Sequence, residues 1–335
     1  MNKFVELPLV EPLFGTYNNG IITASIAQNL SIRNWFLNNT INLTCNRKFL
    51  HGFTTPQLRV ENHLFSNPCF ETKWISMKFL NGYINPVIRN LIDLGYYVYF
   101  NSVDDYYVKG KSGYKQIHLI HDGTICGYNQ KDKTYCIYAY DSNWIIRKFW
   151  TPQSSFNKGR EAMFKKEVYG NLWAIKPKEE KFDFSVGTVF EGIKVYLDSN
   201  LERYPFNGEG DVCGIAVHEY IAKYVEKLAD GSIPCEHMDK NIFRLLLEHK
   251  KVMFERIVLT EQSLELGDEI SEKYKMVISK ATSIRKLYSP DNIERNKAIL
   301  LKIKRNLLSL MDVERELLLS LVQKIEGEMK NGQTC

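Results

Sequence analysis

The spacing of hydrophobic residues changes near the middle of the chain. Up to about residue 165, short apolar runs alternate with turn residues, which is typical of strands mixed with a few helices. From Asn241 onward, apolar residues recur every three or four positions, which is typical of long amphipathic helices. The pattern predicts an α+β protein in which a mixed domain, residues 1–165, precedes a mostly helical domain, residues 166–335.

The first half contains a predicted antiparallel meander. Three β-prone segments follow one another with short polar turns between them: His118–Gly127, Thr134–Tyr140 and Trp144–Trp150. Upstream, Tyr96–Phe100 is apolar on both faces, which predicts a central strand. Helices are predicted at Ile21–Asn29 and Ile84–Leu94, and a short strand at Ile41–Thr44.

The second half predicts a bundle of helices. Three apolar stripes with helical spacing begin at Ile242, Ile270 and Ile303. Short connections between such helices are typical of an up-and-down bundle. Before the bundle, Val189–Leu197 is predicted to be extended and Asp211–Leu228 to be helical.

Composition and charge narrow the class of protein. A chain of 335 residues with 44% hydrophobic and 25% charged residues has an ordinary globular balance. Its net charge of +5 and its lack of a long basic block argue against nucleic-acid binding. The N-terminal sequence does not resemble a signal peptide, and no apolar run reaches the ~18 residues of a membrane span. Seven cysteines without a C-x-x-C pair fit reduced thiols, so we expect a cytoplasmic protein.

The stretch KQIHLIHDGTICGYNQKDKTYCIYAYDSNW, residues 115–144, contains the main candidate for catalysis. His121 begins one predicted strand and Asp141 ends the next, so antiparallel pairing predicts that they face each other. Such a carboxylate fixes the tautomer of an imidazole that acts as a base. His118 competes for the same carboxylate from the opposite face of the strand, and Asp122 is a second acid that could orient the ring. A pair that only satisfies a sheet edge is the structural alternative.

The sequence predicts neither a metal ion nor a bound cofactor. His118 and His121 have an H-x-x-H spacing, and Asp104, Asp105 or Asp122 could add carboxylates. Residues three apart on a strand point to opposite faces, however, which disfavours a zinc site. The sequence also contains no P-loop and no G-x-G-x-x-G motif, so the standard phosphate-binding loops are missing.

Several motifs resemble a known family. The pattern H-x5-G-Y followed by Y-x-I-x-x-Y-D is formed by His121, Gly127, Tyr128, Tyr135, Ile137, Tyr140 and Asp141. Supporting pieces are VDDYYVKGKSGYKQIHLIHD (103–122), LPLVEPLFGTYNN near the start and LLLEHKKVMFERI (245–257). Together they are similar to the papain-like C39 peptidase fold, and more closely to the family named for the butirosin biosynthesis acyltransferase. The resemblance covers most of the chain through short motifs.

The resemblance implies both a fold and an activity. The fold is a papain-like cysteine-protease domain with an antiparallel sheet, followed by an α-helical bundle. The activity is an acyltransferase of specialised, nonribosomal-peptide-type metabolism. Such an enzyme takes an acyl group from the thioester of an acyl or peptidyl carrier protein and passes it to a small-molecule amine. The only cofactor is then the phosphopantetheine of that partner.

Family roles carry over to two residues of the implied Cys/His/Asp triad. His121 would be the base and Asp141 its orienting acid. The weakly basic bundle, which has four more basic than acidic residues from Lys240 onward, is a candidate docking face for an acidic carrier protein.

The resemblance leaves the nucleophile open. The family's cysteine should begin the first helix, where this chain has YNNGIITASI, with Gly20, Thr23 and Ser25. Cys45 is the best substitute because the two basic residues near it, Arg47 and Lys48, would favour a thiolate. The alternative for Cys45 is a half-buried strand cysteine.

Three functions therefore stay open on sequence grounds. The first is acyl transfer, either through Cys45 or by direct attack of an amine that His121 deprotonates. The second is a carrier-binding scaffold that has lost its nucleophile. The third is a thioesterase or peptidase, in which water replaces the amine.

Overall fold

The computed structural model describes residues 3–10, 12–15, 30–52, 55–60, 67–143, 145–200 and 211–330. They form two compact units, neither of which is continuous in sequence. The described residues within Met1–Pro12 and His63–Glu180 make up one, here called the sheet unit. Those within Leu13–Gly20, Asn29–Asn62 and Lys181–Cys335 make up the other, here called the helical unit.

The strands and helices are numbered in chain order over the described residues. The strands are β1 Phe4–Glu6, β2 Leu43–Asn46, β3 Arg59–Val60, β4 Phe70–Ser76, β5 Tyr97–Asp104, β6 Ile120–Asn129, β7 Thr134–Tyr140, β8 Ile146–Pro152, β9 Asn171–Pro177 and β10 Asp211–Cys213. The helices are α1 Leu30–Asn39, α2 Ile84–Asp93, α3 Gln153–Phe164, α4 Val186–Asp198, α5 Val217–Ala229, α6 Ile242–Ser263, α7 Glu269–Leu287, α8 Pro290–Arg295 and α9 Ala298–Lys330. Short 3-10 helices occupy Lys48–Leu50, Met77–Leu80, Asp105–Tyr107, Gly214–Ala216 and Cys235–His237.

An antiparallel sheet organises the first unit. Among the described residues it has seven strands in the order β4-β9-β5-β6-β7-β8, with β1 added beside β6. β5 lies inside the sheet between β9 and β6, and its residues Tyr97–Phe100 are buried. β6, β7 and β8 form consecutive antiparallel pairs. The predicted central strand and the predicted three-strand meander are therefore confirmed.

Helices α2 and α3 cover one face of this sheet. Ile88 of α2 and Phe156 of α3 belong to the same buried cluster as Phe100 of β5. The rings of Phe100 and Phe156 meet edge to face with centroids 5.2 Å apart. α3 lies very close to the end of β5 because Gly159 has no side chain there. A Cβ atom at this position would lie 2.8 Å from the carbonyl oxygen of Asp104.

The helical unit combines a small sheet with long helices. β2 pairs with β3 and with β10 in an antiparallel sheet, in which Val212 lies opposite Cys45. The long helices α6, α7 and α9 were predicted from their apolar stripes, and these predictions are confirmed. Their apolar faces share one core with α4 and α5. No helix among the described residues is long and apolar enough to cross a membrane.

The structure confirms the α+β class, with an antiparallel sheet and a run of C-terminal helices. The predicted boundary at residue 165 differs from the compact units, because β9 lies beyond it but belongs between β4 and β5. The described residues between 30 and 60 belong instead to the helical unit, where β2 is paired with β10.

Some local predictions were wrong. Val189–Leu197, predicted to be extended, lies in helix α4, whose buried residues recur at helical spacing. The valines and isoleucine in this segment favour strands locally, and packing of the helix face overrides that preference. The predicted helix from Asp211 begins instead with strand β10, and α5 starts only at Val217. The helix predicted at Ile21–Asn29 lies outside the described residues.

Candidate functional site

The candidate site lies where β5 ends and β6 begins. His121 is the second residue of β6 and pairs with Val103 of β5. The register of the two strands shifts between Phe100 and Val103, which marks a bulge. Bulges re-aim side chains and are frequent next to functional sites. Asp104 ends β5, and its carboxylate accepts a hydrogen bond from the backbone N–H of Tyr106, so it caps the 3-10 turn that follows.

His121 is held by a buried acid on that turn. Its Nδ1 lies 3.1 Å from Oδ2 of Asp105, whose side chain is fully buried, while the His121 side chain is 16% exposed. A carboxylate on Nδ1 places the ring proton there and leaves Nε2 as the basic atom. The ring also stacks on Tyr140, with centroids 5.7 Å apart and planes 9° apart. The imidazole thus has a defined tautomer and a defined orientation.

A buried cation fixes the acid in turn. Nζ of Lys111 lies 2.7 Å from Oδ1 of Asp105 and donates a hydrogen bond of 2.5 Å to the carbonyl oxygen of Asp122. The side chains of Lys111 and Asp105 are both fully buried. Ser112 donates a further hydrogen bond to Oδ2 of Asp105. Because both oxygens of Asp105 are engaged, its carboxylate cannot turn away from His121.

Asp122 adds a second acid on the other side of the ring. Its Oδ1 lies 3.8 Å from Nε2 of His121, which is longer than a hydrogen bond, and its Oδ2 accepts a hydrogen bond from Tyr99. Burial raises the pKa of the Asp122 carboxyl, and the nearby Lys111 and His121 oppose that rise. Burial and the Asp122 charge raise the pKa of Tyr99. Displaced pKa values around a partly exposed histidine are typical of a functional site.

Asp141 does not take the predicted place on Nδ1 of His121. The ladder between β6 and β7 ends at the pair Thr124–Tyr138, so it stops short of His121. The carboxylate of Asp141 instead accepts hydrogen bonds from the backbone N–H groups of Asn143 and Ile145 and pairs with Arg147. This is the usual role of an aspartate that shapes a turn. The predicted pairing is therefore corrected: the acid that orients His121 is Asp105.

His118 has an acid partner of its own. It precedes β6, and its Nδ1 lies 2.8 Å from Oδ2 of Asp104, which is buried although the His118 side chain is 53% exposed. Its ring stacks on Tyr106, with centroids 4.3 Å apart. The expected competition between His118 and His121 for one carboxylate does not occur, because the adjacent acids Asp104 and Asp105 each hold one histidine.

Cys45 is placed unfavourably for a nucleophile. It lies in β2, and its side chain is fully buried. Burial and the charge of Asp211 raise the pKa of the Cys45 thiol to about 12, and Arg59 lowers it by less. The expectation that nearby cations favour a thiolate is therefore wrong: Arg59, not Arg47 or Lys48, is the cation that lowers this pKa, and burial and Asp211 outweigh it. The alternative, a half-buried strand cysteine, describes its strand correctly, although the side chain is fully and not half buried.

The position expected for the family's cysteine, Gly20, and the nearby hydroxyls of Thr23 and Ser25 lie outside the described residues. Cys126 and Cys136 are buried in neighbouring strands, with their sulfurs 3.5 Å apart. No group of three or more His, Cys, Asp and Glu side chains in the described ranges is arranged to hold a metal ion.

Sequence reasoning missed Asp105 as the orienting acid and did not consider Lys111. Asp104 and Asp105 were noted only as extra carboxylates for a metal. A signal was present, since two adjacent acids directly follow the β-prone run ending at Val103, and a lysine follows six residues later. The sequence does not show which acid faces which histidine, because that depends on the bulge in β5.

Comparison with known protein families and curated proteins identifies no relative of this chain. No protein-family model and no curated protein matches the chain. The site consists of a partly exposed histidine oriented by a buried aspartate–lysine pair.

Proposed function

We propose that the sheet unit is an acyltransferase that moves an acyl group from a carrier-protein thioester to an amine, with His121 as the general base. The observation that carries the proposal is the chain of contacts from Lys111 through Asp105 to Nδ1 of His121. Burying two charges costs free energy, and here both serve to hold one partly exposed imidazole. A fixed neutral imidazole with a basic Nε2 is what general-base catalysis requires.

The motifs of the meander support a papain-like arrangement for this unit. The quoted pattern runs through β6 and β7, which are antiparallel neighbours, with His121 near the start of the first. The arrangement differs from the family pattern in its acid, since Asp105 precedes the histidine strand instead of ending the next one. The proposal therefore assigns the orienting role to Asp105 and a turn-forming role to Asp141.

The proposed reaction proceeds by direct attack. Nε2 of His121 takes a proton from the amine as the amine nitrogen bonds to the thioester carbonyl carbon. The tetrahedral intermediate then expels the carrier thiolate, which receives the proton from the imidazolium. An amide and a free carrier thiol are the products. Asp105 stabilises the transient imidazolium, as the acid of a catalytic triad does. This route needs no thiol and relies on described residues alone.

The test is an assay with an acyl-phosphopantetheine carrier protein and a panel of amines. Amide formation is followed by liquid chromatography and mass spectrometry, and acyl-enzyme is sought by intact mass. We expect His121→Gln to lower kcat by about 10²–10⁴-fold, the usual contribution of a general base. Asp105→Asn should lower kcat while leaving KM nearly unchanged, because it misorients the base and does not touch substrate.

Two controls make the assay decisive. Cys45→Ala should retain activity, since its thiol is buried and protonated. His51→Gln, at an exposed histidine of the helical unit, should also retain it. Full turnover by His121→Gln would contradict the assignment of His121 as the general base. Formation of free acid without amide would point to a thioesterase, and carrier binding without turnover in any variant would point to a scaffold.

A further inference from the structure

A cleft of about 290 Å³ lies beside the candidate site within the sheet unit. One wall is the face of α3 that carries Lys158, Glu161 and Ala162, and it continues into Lys165 and Lys166 after the helix ends. The opposite wall is formed by Tyr107, His118 and Asp104. The close approach of Gly159 to the backbone of Asp104 brings these two walls together.

The imidazole of His118 is immobilised at the wall of this cleft. The buried carboxylate of Asp104 holds Nδ1, and the ring stacks on Tyr106. The ring of Tyr107 is tilted against the imidazole, with the two ring centroids 5.9 Å apart. A side chain that is 53% exposed contributes little to a core, so its burial does not explain this fixation. Ordering an exposed side chain costs conformational entropy, and binding sites are where such preorganisation is useful.

The cleft has an excess of positive charge. Lys158, Lys165 and Lys166 are exposed and have no carboxylate partner among the described residues. Glu161 is the single acid on their wall, and it lies 3.9 Å from the guanidinium of Arg160. The carboxylate of Asp104 is already engaged by His118 and by the backbone of Tyr106. The three lysines outnumber the two carboxylates that line the cleft, Asp104 and Glu161, so a bound anion would balance the remaining positive charge.

We propose that this cleft binds the phosphate group of a small ligand. Lysine ammonium groups bind phosphate as point charges, and a dianionic phosphate matches a cluster of three lysines better than a single carboxylate does. Nε2 of His118 is available to face the anion, since Asp104 holds Nδ1. The volume is at the lower end of small-molecule sites, which limits the ligand to a compact molecule. The proposal stands apart from acyl transfer, because binding can be measured without turnover.

The experiment is a titration of the full chain, labelled with ¹⁵N-histidine, with inorganic phosphate at constant ionic strength. We expect a saturable shift of the His118 ring signals with a Kd below about 10 mM, while the signals of the exposed His51 do not move. A parallel titration with glycerol phosphate distinguishes a phosphate ester from free inorganic phosphate as the ligand. Binding of the ester identifies a phosphorylated metabolite, and binding of inorganic phosphate alone identifies the free anion.

Matched charge variants complete the test. The triple variant K158Q/K165Q/K166Q should weaken binding at least tenfold. K78Q/K131Q/K133Q removes the same charge from exposed positions elsewhere in the sheet unit and should leave the affinity within twofold. The proposal is overturned if His118 shows no saturable shift up to 20 mM phosphate, or if both triple variants lose affinity equally. Acetate binding as tightly as phosphate would also overturn it.

Discussion

At the scale of single residues, Lys111 is the charge on which the candidate site depends. Its ammonium group is fully buried and compensates Asp105, while also holding the backbone carbonyl of Asp122. Removing one member of a buried ion pair leaves the other charge without compensation, which costs far more than the pair itself contributes. The same contacts that stabilise this part of the sheet unit therefore fix the acid on His121.

Lys111→Met should lower the free energy of unfolding by about 3–5 kcal/mol, the usual cost of an unpaired buried charge. The double variant Lys111→Met/Asp105→Asn should recover a large part of that loss, since it removes both charges. Urea unfolding followed by circular dichroism measures both effects. Equal losses in the single and double variants would contradict the assignment of Lys111 as the partner of Asp105.

Cys45 shows how burial can reverse a prediction based on neighbours in sequence. Its thiol pKa of about 12 means that almost no thiolate exists near neutral pH. We expect Cys45 in the native protein to react with iodoacetamide at pH 8 much more slowly than Cys235, which is only partly buried. Peptide mapping measures each site separately. In urea, where burial is lost, the two cysteines should react at similar rates; rapid native labelling of Cys45 would contradict its burial.

At the scale of secondary-structure elements, the contact between α3 and β5 determines the geometry on both sides of Asp104. Gly159 is a point of close approach, where a Cβ would lie 2.7 Å from Cγ1 of Val103 and 2.8 Å from a backbone oxygen. Helix propensity alone would favour alanine here by up to about 1 kcal/mol. The close packing explains why glycine occupies a helix interior in this chain.

Gly159→Ala should therefore destabilise the protein by about 1–3 kcal/mol, the usual cost of overpacking. Gly327→Ala in α9 is the control, because nothing lies within 4 Å of a Cβ there and the substitution should be neutral or stabilising. Thermal unfolding of the two variants measures the contrast. A Gly159→Ala protein as stable as wild type would show that α3 does not approach β5 this closely.

At the scale of the whole molecule, each unit encloses its own buried ion pair. In the helical unit, Lys250 donates hydrogen bonds to Glu314 and Tyr196, and Tyr274 donates to the other oxygen of Glu314. His218 lies 3.6 Å from Glu314 and its Nδ1 faces the carbonyl oxygen of Ile215 at 2.8 Å. These side chains come from α4, α5, α6, α7 and α9, so one polar centre links five helices.

The helical unit should lose stability in mild acid. Burial, and secondarily Lys250, lower the pKa of His218 from 6.5 to about 3, and burial also lowers the pKa of His249 well below its usual value. At a pH below the unfolded-state pKa of 6.5 but above the folded-state pKa, each histidine binds a proton in the unfolded chain and not in the folded protein. The free energy of unfolding is therefore highest above pH 6.5 and falls as the pH decreases below it. Each histidine contributes a loss of roughly 1 kcal/mol per pH unit below 6.5.

Urea unfolding of wild type and His218→Gln at pH 7.5 and pH 5.5 measures this effect. The variant starts from a lower stability at pH 7.5, because it lacks the contact with Ile215, but it should lose about 1 kcal/mol less than wild type on acidification. His51→Gln, at an exposed position, should lose as much as wild type does. Identical losses in wild type and His218→Gln would contradict a buried, neutral His218.

A large part of the fold could be predicted from the sequence. The meander β6–β8, the central strand β5 and the helices α2, α6, α7 and α9 all follow from local periodicity. Strands β4 and β9 were not predicted, and α4 was wrongly predicted to be extended. The local pattern of apolar residues in these segments does not distinguish a strand from a helix. Of the candidate site, the base His121 was named, and its acid and the buried cation were not.

The sequence by itself determined the periodicity of the elements and the chemical types available at the start of β6, since both are properties of neighbouring residues. Only the tertiary structure decided that Asp105, and not Asp141, lies on Nδ1 of His121, because the bulge in β5 and the turn after it set that contact. It likewise decided that the Cys45 thiol stays protonated, since β10 and the surrounding core bury it. The physical reason is the same in both cases: side-chain contacts and burial arise between residues that are distant in sequence or separated by irregular backbone, and local patterns do not record them.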